Sequence, residues 1–133
     1  MLLHIIRVDY CEAYHLRRAT YIEQTHSIAI ADPLPWTRLC TAGLSALETT
    51  ENVEKGVRTP SAKLTATLPE PLAQPTRPLA FLLTCADGRQ YVLGKPCAPY
   101  PLTVQETTMP ESSAEKSATS LVASAALYIY KVI

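Results

Sequence analysis

Leu79-Ala80-Phe81-Leu82-Leu83-Thr84-Cys85-Ala86 runs through Asp87-Gly88 into Arg89-Gln90-Tyr91-Val92-Leu93-Gly94. Two apolar stretches joined by Asp-Gly have the pattern of a β-hairpin. Both central residues of a type I′ turn need positive φ, which Asp and Gly reach at low cost. With that two-residue turn, Leu82 opposes Leu93, Leu83 opposes Val92 and Thr84 opposes Tyr91. Successive side chains of a strand point to opposite faces, so both faces of this hairpin are apolar near its middle. A strand pair with no wet face belongs inside a sandwich or barrel rather than at an edge.

Moving outward, residues 61–68 alternate Ala62, Leu64, Ala66 and Leu68 with Ser61, Lys63, Thr65 and Thr67, one dry face and one wet face. Residues 39–50 carry a similar pattern, with Ala42, Leu44 and Ala46 set against Thr41, Gly43 and Ser45. The polar link Glu51-Asn52-Val53-Glu54-Lys55-Gly56 makes the two a hairpin with a longish loop. A helix over 44–55 is the alternative, because Leu44, Leu47 and Glu48 also fit helical spacing. Residues 2–8 read as a first strand, with Leu2, His4, Ile6 and Val8 on one side and Leu3, Ile5 and Arg7 on the other. Residues 9–24 have no clean period and allow a short helix. Ser27 to Ala31 and Leu102 to Glu106 read as short strands, and Ser120 to Ile133 as one long terminal strand. Pro69, Pro71, Pro75 and Pro78 make 69–78 a stiff loop, and 107–117 reads as a polar loop.

The expected fold is mainly β: residues 1–133 as a single-domain antiparallel β-sandwich or barrel with Pro-rich loops and at most one or two short helices. The length of 133 residues fits one domain. Eleven prolines argue against a helix bundle, since each interior proline removes a donor and clashes with the preceding turn.

Twelve basic and twelve acidic residues leave no net charge. Binding by wholesale phosphate neutralisation wants a strongly basic chain, so nucleic acid is not an expected partner. Weak self-repulsion favours self-association or a protein partner. No apolar run approaches the roughly 20 residues of a membrane span, and Asp9 interrupts the apolar start, which reads as a strand rather than a signal peptide. Cys11, Cys40, Cys85 and Cys97 are widely spaced with no CxxC, which points to reduced thiols in a cytoplasmic protein. Cys85 and Cys97 are the pair that the hairpin return brings nearest to one another.

The chain has no GxSxG, no GxGxxG and no GxxxxGK[ST], and its four glycines leave no Gly-rich phosphate loop. An enzyme is therefore not expected, nor is a cofactor. Cys11, Glu12 and His15 are weak metal candidates. On a helix Cys11 and His15 would share a face, but zinc wants three or four ligands, and the plain alternative is a small buried cysteine beside a surface histidine. Glu48, Glu51 and Glu54 read as a solvated acidic face. Tyr14, Arg17, Arg18 and Tyr21 have the aromatic-basic composition that holds single-stranded nucleic acid, whereas Arg38, Arg58 and Arg77 stand isolated in sequence. Trp36, in Pro33-Leu34-Pro35-Trp36, and Tyr100 are candidate partner contacts.

Tyr14-His15-Leu16-Arg17-Arg18-Ala19, Ile28-Ala29-Ile30-Ala31-Asp32, Ala42-Gly43-Leu44-Ser45 and Cys85-Ala86-Asp87-Gly88-Arg89 resemble segments of small proteins carried by prophages and related mobile elements of gut bacteria. The resemblance covers most of the chain and brings no functional residues with it. It implies a β-rich component of a phage-like assembly, virion-associated rather than simply cytoplasmic. The expected function is a non-enzymatic structural or interaction protein. The alternatives are a metal-binding domain or metal-dependent enzyme using Cys11 and His15, and a single-strand nucleic-acid binder.

Overall fold

The computed structural model describes the chain apart from residues 1, 32, 42, 44, 70, 71, 73–76, 98, 99, 109–117 and 126–128, and apart from the side chains of 52, 58, 59, 107, 108, 118 and 125. The fold is mainly β. Its strands are β1 (Leu2–Glu12), β2 (Thr20–Ile22), β3 (Ser27–Ala29), β4 (Thr37–Leu39), β5 (Ser45–Glu54), β6 (Val57–Leu68), β7 (Leu79–Cys85), β8 (Gln90–Leu93), β9 (Leu102–Thr108), β10 (Ala118–Ala125) and β11 (Tyr130–Val132), with a short 3-10 helix at Ala13–Arg18. All belong to one sheet, ordered β2-β3-β11-β8-β7-β1-β5-β6-β10-β9, with β4 pairing beside β5 on the far edge of β1. Every pairing is antiparallel except β3 with β11, so the sheet is open and mixed rather than purely antiparallel.

The β7–β8 hairpin lies in the interior of this order, and both of its faces are dry. Leu79, Phe81, Leu83, Cys85, Tyr91 and Leu93 point into one core, shared with Ile5, Val8, Leu47, Leu64 and Leu121. Ala80 and Val92 point into a second core with Ala13, Leu16, Ile28, Leu34 and Tyr130. The first core forms because the sheet curls, bringing one face of β5, β6 and β10 over β7 and β8. The second is covered by the 3-10 helix, β2, β3, β11 and the 30–36 segment.

The two hairpins exchange the turn types expected of them. At Asp87–Gly88 the pairs are Phe81 with Leu93, Leu82 with Val92, Leu83 with Tyr91 and Thr84 with Gln90, one residue from the expected register. The connection is three residues long. The Cys85 carbonyl accepts from the Gly88 N–H at 3.0 Å, and the Cys85 N–H donates to the Arg89 carbonyl at 2.8 Å. Gly88 has φ +92° whereas Asp87 is not at positive φ, which is a three-residue turn closed by a left-handed glycine. The Asp87 carboxylate accepts from the Arg89 N–H at 3.1 Å and pairs with its guanidinium, favouring this longer turn. The shift decides which side chains meet: Leu83 stands opposite Tyr91 in the first core and Leu82 opposite Val92 on the second. The two-residue turn forms instead at Lys55–Gly56, where φ is +52° and +79°. There β5 and β6 pair all the way to Glu54 with Val57, so the polar link is strand and neither a long loop nor a helix.

Three other expectations change. A bulge between Ile5 and Arg7 resets the alternation of β1, so Ile5 and Val8 share the first core although they are three apart. In β5 the buried residues are Ser45 and Leu47, with Ala46 half-buried, the reverse of the expected phase. Between β4 and β5 the described residues Cys40, Thr41 and Gly43 are not strand, so the period does not carry across them. The terminal stretch is two strands, β10 and β11, which pair with different partners; the residues between, 126–128, lie outside the described residues. In β6 the predicted dry face is buried: Ala62, Leu64, Ala66 and Leu68 all face the first core.

Much of the 69–78 loop lies outside the described residues, as does 109–117, whereas Thr107 and Thr108 belong to β9. At its centre Leu72 packs on the first core. Gln105 of β9 holds it there. Its Oε1 accepts from the Leu72 N–H at 2.8 Å and its Nε2 donates to the Leu72 carbonyl at 3.0 Å. The side-chain amide thereby imitates the peptide of a neighbouring strand. Gln105→Ala removes both hydrogen bonds and should cost about 1–2 kcal/mol. The check is a lower urea midpoint with an unchanged m-value, together with faster proteolysis between residues 69 and 78.

Candidate functional site

The 3-10 helix follows β1 directly, and its start is fixed by the Ala13 N–H donating to the Pro78 carbonyl at 2.8 Å. Ala13 and Leu16 are buried, which turns Tyr14, Arg17 and Arg18 outward. Tyr14 stacks obliquely on His15, with ring centroids 4.0 Å apart. Two guanidiniums flank the Tyr14 ring: Arg17 at 5.7 Å and Arg77 at 5.3 Å from its centroid. Arg17 Nε donates to the Tyr14 carbonyl at 3.2 Å, and Arg77 lies 3.6 Å from the Glu12 carboxylate. Tyr100 closes the far side. Ala13, Tyr14, Arg17, Arg77, Pro78, Pro96 and Tyr100 together line a cleft of about 340 Å³. Sequence spacing gave no hint that Arg77 and Tyr100 join this group, because the contact is made by the segments that enter β7 and leave β8, which meet at the open end of the hairpin.

Tyr21 does not belong to the cluster. Its hydroxyl donates to the Gly94 carbonyl at 3.1 Å and its ring packs edge-on against Tyr130 at 4.7 Å. Around that pair lies a polar knot. Lys95 Nζ is 2.7 Å from Glu23 Oε1 and sits over both tyrosine rings, and the Tyr130 hydroxyl donates to Glu23 Oε2 at 3.0 Å. The knot ties the β2–β3 turn, the end of β8 and β11 together. The Lys95 hydrogen bond holds the Glu23 carboxyl below its ordinary range, and the same bond raises Lys95. Burial pushes Tyr21 and Tyr130 up.

The metal candidates are separated by the secondary structure. Cys11 sits in β1, not on a helix, so it does not share a helical face with His15. Cys11 is buried, and burial followed by the Glu12 charge pushes its thiol up to about 12, which keeps it protonated at neutral pH. Glu12 faces Arg77 and His15 faces Tyr14. Among the described residues no three His, Cys, Asp or Glu side chains gather as a metal site. All four cysteines are free thiols, Cys11 and Cys85 buried, Cys40 and Cys97 exposed. No helix among the described residues is long and apolar enough to cross a membrane. Trp36 is half-buried against the second core and so is partly an anchor, while Tyr100 is 41% exposed.

The other feature that sequence reasoning missed is the far end of the β5–β6 hairpin. Among the described residues β1 pairs with β5 as far as Glu48, and β10 pairs with β6 as far as Ala62. Beyond those pairs Glu51–Glu54 and Val57–Pro60 continue as a ribbon of two strands. Val53 and Val57 at the tip are 65% and 64% exposed. Beside the ribbon's base is a cleft of about 500 Å³ whose floor includes Ala62, Tyr91 and Ile129 and whose rim includes Thr50, Ser61 and Lys131. Compared with protein-family models, with curated proteins and with solved structures, the chain matches none.

Glu23→Gln tests the knot. A carboxyl held low contributes stability above its ordinary value of 4.5 and loses it as the pH falls through its folded value. The variant should melt below the parent at pH 7, by no more than about 1 kcal/mol because the Glu23 side chain is 57% exposed, and the difference should close towards pH 3. Lys95, held high, keeps its contribution below its ordinary value of 10.5, so it does not add to the acid change. Thermal melts of both proteins across that range are the measurement.

Proposed function

We propose that this chain is a non-enzymatic structural protein that assembles with copies of itself. The observation that carries the reading is the ribbon at 51–60. A two-stranded ribbon on its own is marginal in water, and this one places two exposed valines at its tip with no further strand beside it among the described residues. Val53 lies two residues beyond Glu51 and Val57 three before Pro60, the ribbon residues that line the cleft, so the valines stand roughly 7–10 Å past it along the strands and do not fill it. The tip of a second copy fits there, setting Val53 and Val57 against the apolar floor of Ala62, Tyr91 and Ile129. Two such contacts related by a two-fold make a closed dimer, and an unclosed repeat makes a ring or filament.

Two further features support assembly. Edge strand β9 presents Leu102 and Val104, 66% and 53% exposed, beside an edge that pairs with no strand among the described residues. The chain also carries no net charge to repel its copies. The resemblance to prophage proteins supports a role for such a subunit in a phage-like particle, virion-associated or in the cytoplasm before assembly. Free thiols at Cys40 and Cys97, both exposed, suit a reducing compartment.

Light scattering behind a sizing column, over a concentration series, tests the proposal. The parent should rise from monomer mass to an oligomer. A Val53→Lys, Val57→Lys double variant should stay monomeric at the same concentrations. Its melting temperature should hardly move, because both positions are exposed. A parent that remains monomeric at the highest concentration, or an oligomer unaffected by the two lysines, overturns self-assembly through this tip.

A further inference from the structure

We infer that the cleft around Tyr14 is a nucleotide-binding site, taking a phosphate and the planar base beside it, from a free nucleotide or from single-stranded nucleic acid. The chain's neutral total argues against a protein that coats nucleic acid, but binding at one site depends on the charge within a Debye length of it. Here the local balance is basic. Arg17 and Arg77 line the cleft, Arg18 is exposed on the same short helix, and no carboxylate is among the lining side chains of the described residues. Glu12, 3.6 Å from Arg77, lies outside that lining.

The geometry supplies both halves of nucleotide recognition. A guanidinium presents a fork of donors suited to phosphate oxygens. Arg17 uses Nε on the Tyr14 carbonyl, which fixes the side chain and leaves its terminal nitrogens for a ligand. Arg77 is 5.3 Å from the centroid of the same ring. Tyr100, 41% exposed, offers a stacking face in the same cleft, beside the Tyr14 ring that the two arginines and His15 already cover. Its walls of Ala13, Pro78 and Pro96 are apolar and stiff. A volume of about 340 Å³ is at the small end of ligand sites, the scale of one nucleotide rather than a folded partner. Stacking on tyrosine with arginine on the backbone is sequence-tolerant binding of single strands.

The probes are a fluorescein-labelled ten-residue oligo-uridine, read by anisotropy, and unlabelled uridine monophosphate as competitor. The parent should bind the oligonucleotide at about 50 mM salt and lose roughly sevenfold in affinity at about 200 mM, the response to two phosphate contacts on a single strand. Arg17→Glu and Arg77→Glu should each weaken binding by roughly tenfold, and Tyr100→Ala by roughly fivefold, the loss of one stacked base. All three side chains are exposed, so circular dichroism should be unchanged, and Arg38→Glu on another surface should bind as the parent does. Competition by the mononucleotide at comparable concentration assigns the site to free nucleotides; binding of the oligonucleotide without such competition assigns it to strands. No binding of either probe at low salt overturns the proposal, as does binding that the folded Arg17→Glu and Arg77→Glu variants retain.

Discussion

Burial of both faces of the β7–β8 hairpin is the constraint on which the remaining structure depends. Phe81, Leu83, Tyr91 and Leu93 need cover on one side, and Ala80, Leu82 and Val92 on the other. A flat sheet covers neither. The chain answers with two devices: β5, β6 and β10 curl over the first face, and the 3-10 helix, β2, β3 and β11 close the second. At about 25 cal/mol per Å² of apolar surface, these two cores are the dominant favourable term. The turn, the bulge and the polar knot refine a geometry that this burial already imposes.

The same curl determines what is left over. A sheet that bends around a core without closing has ends, and here they are β2 and β9. It also has overhang, because among the described residues β5 and β6 run on past the last pairs they make with β1 and β10. The ribbon at 51–60 and the cleft at its base follow from where those pairings stop. Gln105 shows the complementary solution. Where the core would be open beside β9, a side-chain amide takes the place of a missing strand and pins Leu72 over it.

Polar groups in this fold position surfaces more than they drive folding. Glu23, Lys95 and Tyr130 fasten β11 to the β2–β3 turn. Asp9, buried in β1, is satisfied by Arg7 two residues before it, with Nε 3.1 Å from Oδ2 and a second donor 3.2 Å from Oδ1. Of the two arginines beside Tyr14, Arg17 comes from the 3-10 helix and Arg77 from the approach to β7. The basic cleft thus rests on Ala13, a buried member of the second core.

By itself the sequence determined the β class, the central hairpin and the dry face of β6, because period-two alternation and Asp-Gly are local signals that burial then enforces. The metal pattern at Cys11, Glu12 and His15 was legible only as spacing, and spacing presumed a helix where β1 continues. Tertiary structure alone decided the register of the central hairpin, where the Asp87 carboxylate and a left-handed Gly88 favour a three-residue turn over a two-residue one. It decided the phase of β1 and β5, since a bulge and a non-strand link each shift a period that sequence reading carries straight through. It also brought Arg77 and Tyr100 to Tyr14 and left Val53 and Val57 exposed. Those positions depend on which strands outrun their neighbours and where loops return, and such long-range geometry has no local signature along the chain.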